Sequence, residues 1–264
     1  MPLSFQMAAI EAGPCPDACG VEAGTVEQNL EFRDGNAHVG VRCVVSIICG
    51  RVECRAFTES SSMKQQLLEL FRKRFACHLF QTDRPITAAD LEFILEAGRL
   101  SPSSFGLEQW KFVVLTAPDD KQALQAACFQ QPQVGTAGAV VVILAKLAEM
   151  DPDSNYIRRL LAREYPGDQF EGAWKNYRGF HAATDVKAWS VTQCHIAAAN
   201  MMTAATAAGL DSCAIGGFDP AAVRKLLDLD PARHETALIL AFGYCAGEAG
   251  EKLRLPMDEL VEYR

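Results

Sequence analysis

Lys252 and Arg254 stand two residues apart, after the apolar run Thr236–Tyr244. In extended chain they share a face, which favours a joint anion site over two separate solvated charges. A third cation, Arg74, opens the segment Arg74-Phe75-Ala76-Cys77-His78. Two more segments are built for turns and close backbone approach. One is Ser101-Pro102-Ser103-Ser104-Phe105-Gly106, and the other is Ala214-Ile215-Gly216-Gly217. Glycine lets a backbone approach a ligand that any side chain would hold off. Gln130 and Gln133 lie in a Gln-Gln-Pro-Gln stretch that reads as a polar site or as a plain surface turn.

Several other chemistries are excluded. No G-x-G-x-x-G follows a predicted strand, and there is no Walker A loop and no G-x-S-x-G elbow. His234-Glu235 begins an H-E-x-x-H, but Leu238 stands where the second histidine belongs. Cys194 and His195 are helical neighbours and point to different sides, a poor nucleophile–base pair. No C-x-x-C occurs, so the clustered cysteines of the N-terminal region lack the usual zinc-knuckle spacing. Cys77, Cys128, Cys194, Cys213 and Cys245 read as buried small apolar residues, and all ten cysteines as reduced thiols of a cytoplasmic protein.

The elements that must position these residues follow from period and punctuation. Leu67, Leu68, Phe71 and Phe75 fall on one helical face over 64–77. Thr87 is an N-cap for a helix ending near Leu100. Trp110–Thr116, Ala139–Lys146, Asp211–Ile215 and Thr236–Tyr244 read as strands. Helices are expected at Asp119–Cys128, around Tyr156–Arg163, from Thr184 to Ala208, and after Asp219-Pro220. The Thr184–Ala208 stretch is apolar on most sides and predicts a buried central helix closed by Gly209. Residues 147–180 are too irregular to assign fully. Helices and strands are mixed, an α+β or α/β pattern.

Composition bounds the rest. The chain has 264 residues, 49% of them hydrophobic, and a formal charge of −8, which argues for a globular protein and against a nucleic-acid binder. No apolar run reaches the ~18–20 residues of a membrane span. The N-terminus has no basic residue before Arg33 and no secretory apolar core. Residues 1–62 contain no Trp, Tyr or Lys and show no sustained period. They are expected to be a disordered or non-native extension, with 63–264 as the working domain. A cysteine-based metal module in 1–62 is the competing reading.

The four segments around Arg74, Ser101–Trp110, Asp211–Asp219 and Lys252–Pro256, in this order and spacing, resemble the FMN-dependent nitroreductase family. The closest likeness is to the branch with Ser-Pro-Ser-Ser-Phe-Gly-Leu before the first strand. The resemblance covers 63–264 and none of 1–62. It implies an α+β fold, a mainly antiparallel sheet flanked by helices, in an intertwined homodimer. It implies FMN at the interface, NADH or NADPH as hydride donor, and a small-molecule electron acceptor such as a nitroaromatic or quinone, in a ping-pong reaction. Carried over by position, Arg74, Lys252 and Arg254 grip the phosphate, and Phe75, Ala76 and His78 line the same segment. Pro102, Ser103 and Ser104 contact the flavin held mainly by the other subunit, and Gln130 and Gln133 reach its ribityl or pyrimidine side. Ile215, Gly216 and Gly217 place a backbone N–H near flavin N5. Many relatives have Pro-Ile-Glu-Gly there, so a carboxylate is missing. Dehalogenation, azoline oxidation and a non-catalytic flavin-binding regulator are the alternatives on the same fold.

Overall fold

The structure is a computed structural model that describes residues 25–34, 37–48, 51–58 and 62–264. The chain divides into two units, Met1–Met63 and Lys64–Arg264.

In the first unit the described residues before 62 are those of three strands. Strands β1 (Thr25–Asp34), β2 (Ala37–Ile48) and β3 (Arg51–Thr58) pair in order as an antiparallel meander. The register matches Asp34 with Ala37 and Ile48 with Arg51, so each connection is two residues long. The signal is a period of two confined to short windows, such as Val39, Val41, Cys43, Val45 and Ile47. Cys15, Cys19 and Cys49 lie outside the described residues.

The second unit contains α1 (Met63–Lys73), α2 (Ala88–Arg99), β4 (Trp110–Leu115), α3 (Pro118–Ala127), α4 (Pro132–Thr136) and β5 (Ala139–Lys146). It continues with α5 (Asn155–Glu164), α6 (Gln169–Ala182), α7 (Val186–Ala207), β6 (Asp211–Ile215), α8 (Pro220–Leu226), β7 (His234–Gly243) and α9 (Met257–Leu260). The strands form one antiparallel sheet in the order β4-β5-β7-β6, as the α+β expectation requires. β5 is buried on both faces, which explains its unbroken apolar run. Val140, Val142 and Leu144 pack with Cys77, Phe80, Val134, Cys213 and Ile239 on one face. Val141, Ile143 and Ala145 pack with Ile94, Trp110, Ala197 and Met201 on the other, under α2 and α7.

Two helices differ from expectation. α7 buries only one face, that of Gln193, Cys194, Ala197, Ala198, Met201 and Ala205, while His195, Ile196, Ala199 and Asn200 face outward. Its alanines hide the amphipathic pattern, because alanine suits either side. α6 was not visible as a helix in the irregular 147–180 region. Its spacing signal is aromatic: Phe170, Trp174, Tyr177 and Phe180 pack with Leu107, Ile157 and Leu161 in a third cluster. α1 buries none of its residues, and Leu67, Leu68 and Phe71 are each about half exposed, at 45%, 51% and 50%.

The expectation that every cysteine is a free thiol is corrected at one pair. Cys77 and Cys245 form a disulfide with Cα atoms 5.8 Å apart. The cause is tertiary. Phe80 bridges to Cys245, Gln81 N–H donates to Tyr244 O (2.8 Å), and Ala246 N–H donates to Leu79 O (2.8 Å). These bonds lay residues 76–81 along 244–246. Cys128, Cys194 and Cys213 are free and buried, as expected.

Candidate active site

α1 ends where Arg74 N–H donates to Leu70 O (2.9 Å), and the chain then turns to the start of β6. Ala76 bridges to Ser212, and Cys77 N–H donates to Ser212 O (3.2 Å). Phe75 packs on the sheet face below, while Ala76 and His78 are exposed. Lys252 returns to this place: its ammonium donates to Phe71 O (2.6 Å) and to Arg74 O. Desolvation, with the charges of Arg74 and Arg254 close by, holds the Lys252 amine below its usual range. The Arg254 guanidinium donates to Leu253 O (2.6 Å). Arg74, Lys252 and Arg254 therefore gather from both ends of the unit. Among the described residues, none of them has a carboxylate within ion-pair distance. Three like charges held together without a counter-charge fit a dianionic phosphate.

The floor of this region comes from the α3–α4 junction and the turn after β6. Gln133 is 4% exposed, and its amide donates to Gln131 Oε1 (3.0 Å). Burial raises the Cys213 thiol above its ordinary range, against the opposing pull of Gln133 and Arg74. Gln131, absent from the sequence-derived set, reaches the turn itself: its Nε2 donates to Gly217 O (2.6 Å). Gln130 does not reach it. It is exposed, sits at φ 60°, and bonds back to Gln125. Ile215 is buried at the end of β6. A Cβ on Gly216 would meet nothing within 4 Å, and one on Gly217 only Gln131 Nε2 at 3.4 Å. The backbone there borders open space, as approach by a flat ligand needs. Asp219 caps α8 through Ala221 N–H (2.8 Å) and Ala222 N–H (3.3 Å).

The Pro102–Ser104 loop is anchored elsewhere. Ser104 N–H donates to Gln193 Oε1 on α7 (2.9 Å), Glu108 N–H to Ser103 Oγ (3.0 Å), and Asn200 Nδ2 to Ser101 Oγ (2.8 Å). Pro102 is exposed. These anchors lie on the α7 side of the sheet, whereas Phe75, Cys77 and Cys213 pack on the opposite face. One chain therefore brings together the Arg74, Gln133, Gly217 and Lys252 set, and leaves Pro102, Ser103 and Ser104 apart from it.

The chain belongs to the Nitroreductase family, whose pattern it matches over residues 71–244. A Bacillus subtilis relative named "Putative NAD(P)H nitroreductase YfkO" is 34% identical over 219 residues, 77% of this chain and 99% of the relative. An oxygen-insensitive NADPH nitroreductase of Helicobacter pylori is 30% identical over 190 residues, 70% of this chain and 90% of the relative. Among solved structures, a nitroreductase family protein of Streptococcus pneumoniae superimposes with TM-score 0.63 at 26% identity, covering 75% of this chain and 99% of that one. A nitroreductase from Exiguobacterium sibiricum solved with FMN superimposes with TM-score 0.66 at 21% identity, over 75% and 97%, a likeness of fold.

Proposed function

We propose that the protein is an NAD(P)H-dependent flavin oxidoreductase that holds FMN on its Arg74–Lys252–Arg254 cluster. The observation that carries this reading is that cluster: three cations, gathered without a carboxylate beside them, next to a double-glycine turn. FMN bound there would supply the hydride chemistry between NADH or NADPH and a nitroaromatic, quinone or similar small acceptor. The protein's own residues bind and orient. Arg74, Arg254 and Lys252 would hold the FMN phosphate, Gln133 and Cys213 would form a buried floor, and the open Gly216–Gly217 backbone would leave room for the ring. No acid–base residue is needed, because water can supply the proton.

The working unit in this reading is residues 63–264 in a homodimer. The outward faces of α1 and α7 supply apolar surface for it, with Phe71 50% and Ile196 39% exposed. The separation of the Pro102–Ser104 loop from the Arg74 set supports the same arrangement, with that loop serving the partner's flavin. Among the described residues no helix is long and apolar enough to cross a membrane. The compartment that goes with the reading is the cytoplasm, where a disulfide such as Cys77–Cys245 is uncommon.

The test is the absorbance spectrum of the purified protein, followed by anaerobic mixing with NADH and with NADPH. A flavin spectrum that bleaches supports the reading. A flavin that stays oxidised with both donors supports the non-catalytic alternative, and protein that neither carries nor takes up FMN overturns both.

A further inference from the structure

We propose that Gln131 is a positioning residue that fixes the Gly216–Gly217 turn against the α3–α4 junction. The inference rests on the flavin reading for its catalytic consequence, and on hydrogen bonds alone for the pin itself.

Successive glycines carry no side chain to pack, so a turn containing them has more freedom to lose than any other pair. Something outside the turn must order it. Gln131 Nε2 donates to Gly217 O (2.6 Å) and to Cys128 O (2.9 Å), and Gln131 Oε1 accepts from Gln133 Nε2 (3.0 Å). The amide orientation is dictated by these partners. Turned over, it would set its oxygen against two carbonyls and its nitrogen against a donor. The side chain starts from a stiff base: Gln131 N–H donates to Cys128 O (3.2 Å), and Pro132 follows at the first position of α4. A second bond pins the far side of the same turn, from Asp219 N–H to Ala127 O (2.8 Å). The turn is thus held at Gly217 by the α3–α4 junction and at Asp219 by the last residue of α3. Asp219 is held through its backbone N–H, which no side-chain truncation removes. Gly217 is held by a side chain, which makes Gln131 the adjustable element.

Hydride transfer is steep in distance and angle, so a loosened turn lowers its rate more than it lowers cofactor affinity, which the phosphate cluster dominates. The experiment compares the full chain with its Gln131→Met and Gln131→Glu variants. Methionine keeps length and loses every bond; glutamate keeps the acceptor toward Gln133 and loses both donors. In flavin-stripped protein, exchange of the Asp219 amide, whose N–H donates to Ala127 O across the turn, is expected to quicken about tenfold in both variants, on the scale of one lost neutral hydrogen bond. Exchange in α2 and α5 should stay unchanged. In FMN-loaded protein, flavin reduction by NAD(P)H should slow by about tenfold while the FMN dissociation constant moves by less than about threefold. Adding Gly217→Ala to Gln131→Met should restore part of the protection, because Gly217 does not use a left-handed φ and its Cβ would have room.

Unchanged exchange of the Asp219 amide in both variants overturns the proposal. So does quickened exchange with an unaltered rate of flavin reduction, or a rate loss that only tracks loss of FMN. Wild-type protein that binds no FMN overturns the functional reading alone, and the exchange rates then decide the pin.

Discussion

The Lys252 ammonium rests on the carbonyl oxygen of Arg74, 178 residues earlier in the chain. It thereby closes the C-terminal end of α1, where a cation is favoured by the helix dipole, while adding charge to the cluster. The two roles can be separated. Among the described residues Arg254 bonds only its neighbour's carbonyl, so Arg254→Ala should leave stability unchanged. It should cost about 1.5–3 kcal/mol of phosphate binding, so FMN affinity falls tenfold or more while riboflavin affinity hardly moves. Lys252→Ala should weaken FMN and also destabilise the fold by about 0.3–1 kcal/mol. Fluorescence titration with both ligands and a urea melt of each variant make the comparison. Equal losses for FMN and riboflavin in Arg254→Ala would place that residue away from the phosphate.

Cys77 and Cys245 close a covalent loop spanning 168 residues of sequence. Such a link restricts the unfolded chain, and on the loop-entropy scale is worth about 5 kcal/mol. Dithiothreitol should therefore lower the urea midpoint of the wild-type protein by that equivalent. The same reagent should leave a Cys77→Ser/Cys245→Ser variant unmoved. A wild-type midpoint indifferent to reductant would show the pair open in solution.

Alkaline pH should destabilise the fold through buried thiols. Burial pushes Cys128 up to about 11 and Cys194 to about 12. Unfolded cysteine ionises near 8.5. A raised folded value means that the contribution is fully present below about pH 8.5 and is lost as pH climbs toward the folded values. At pH 10 each thiol should lower stability by about 1.4–2 kcal/mol relative to pH 7. Denaturant melts at pH 7, 9 and 10 should show the decline, and Cys194→Ala should shallow it.

The outward faces of α1 and α7 should be buried between subunits. Phe71→Asp and Ile196→Asp each put a charge where an apolar contact is expected, a cost of several kcal/mol on association. Sedimentation equilibrium should show monomer, and the monomer should hold FMN weakly, since Pro102–Ser104 then come from no partner. Tight FMN binding by a stable monomer would rule out the shared site.

Removing residues 1–62 should leave FMN affinity and the dimer intact, because all residues assigned to the site lie in the second unit. Isothermal titration of the chain starting at Met63 measures this. A folded truncation without affinity for FMN would assign β1–β3 a part in the site.

Local signals carried the sequence reading well. Ala139–Lys146 and Asp211–Ile215 coincide with β5 and β6 residue for residue, and Thr87 and Asp219 cap α2 and α8 with their own side chains. Each of those features is decided within a few residues. What escaped the reading depends on distance or on unusual composition. The approach of Cys77 to Cys245 is set by pairing between segments far apart in sequence. α7 concealed its exposed face because alanine marks neither inside nor outside, and α6 carries its period in aromatics. Position alone pointed to Gln130 and Gln133, but the residue that spans to Gly217 is Gln131, which follows two residues of left-handed backbone at Phe129 and Gln130.

The Cys77–Cys245 link also governs how the protein survives cutting. The connection between α5 and α6 turns at Gly167, where an added Cβ would meet nothing within 4 Å. A protease that severs the chain there cuts inside the covalent loop. Both fragments remain one molecule, strands β4, β5, β6 and β7 stay paired, and the break becomes visible only when a reducing agent lets the pieces part on a gel.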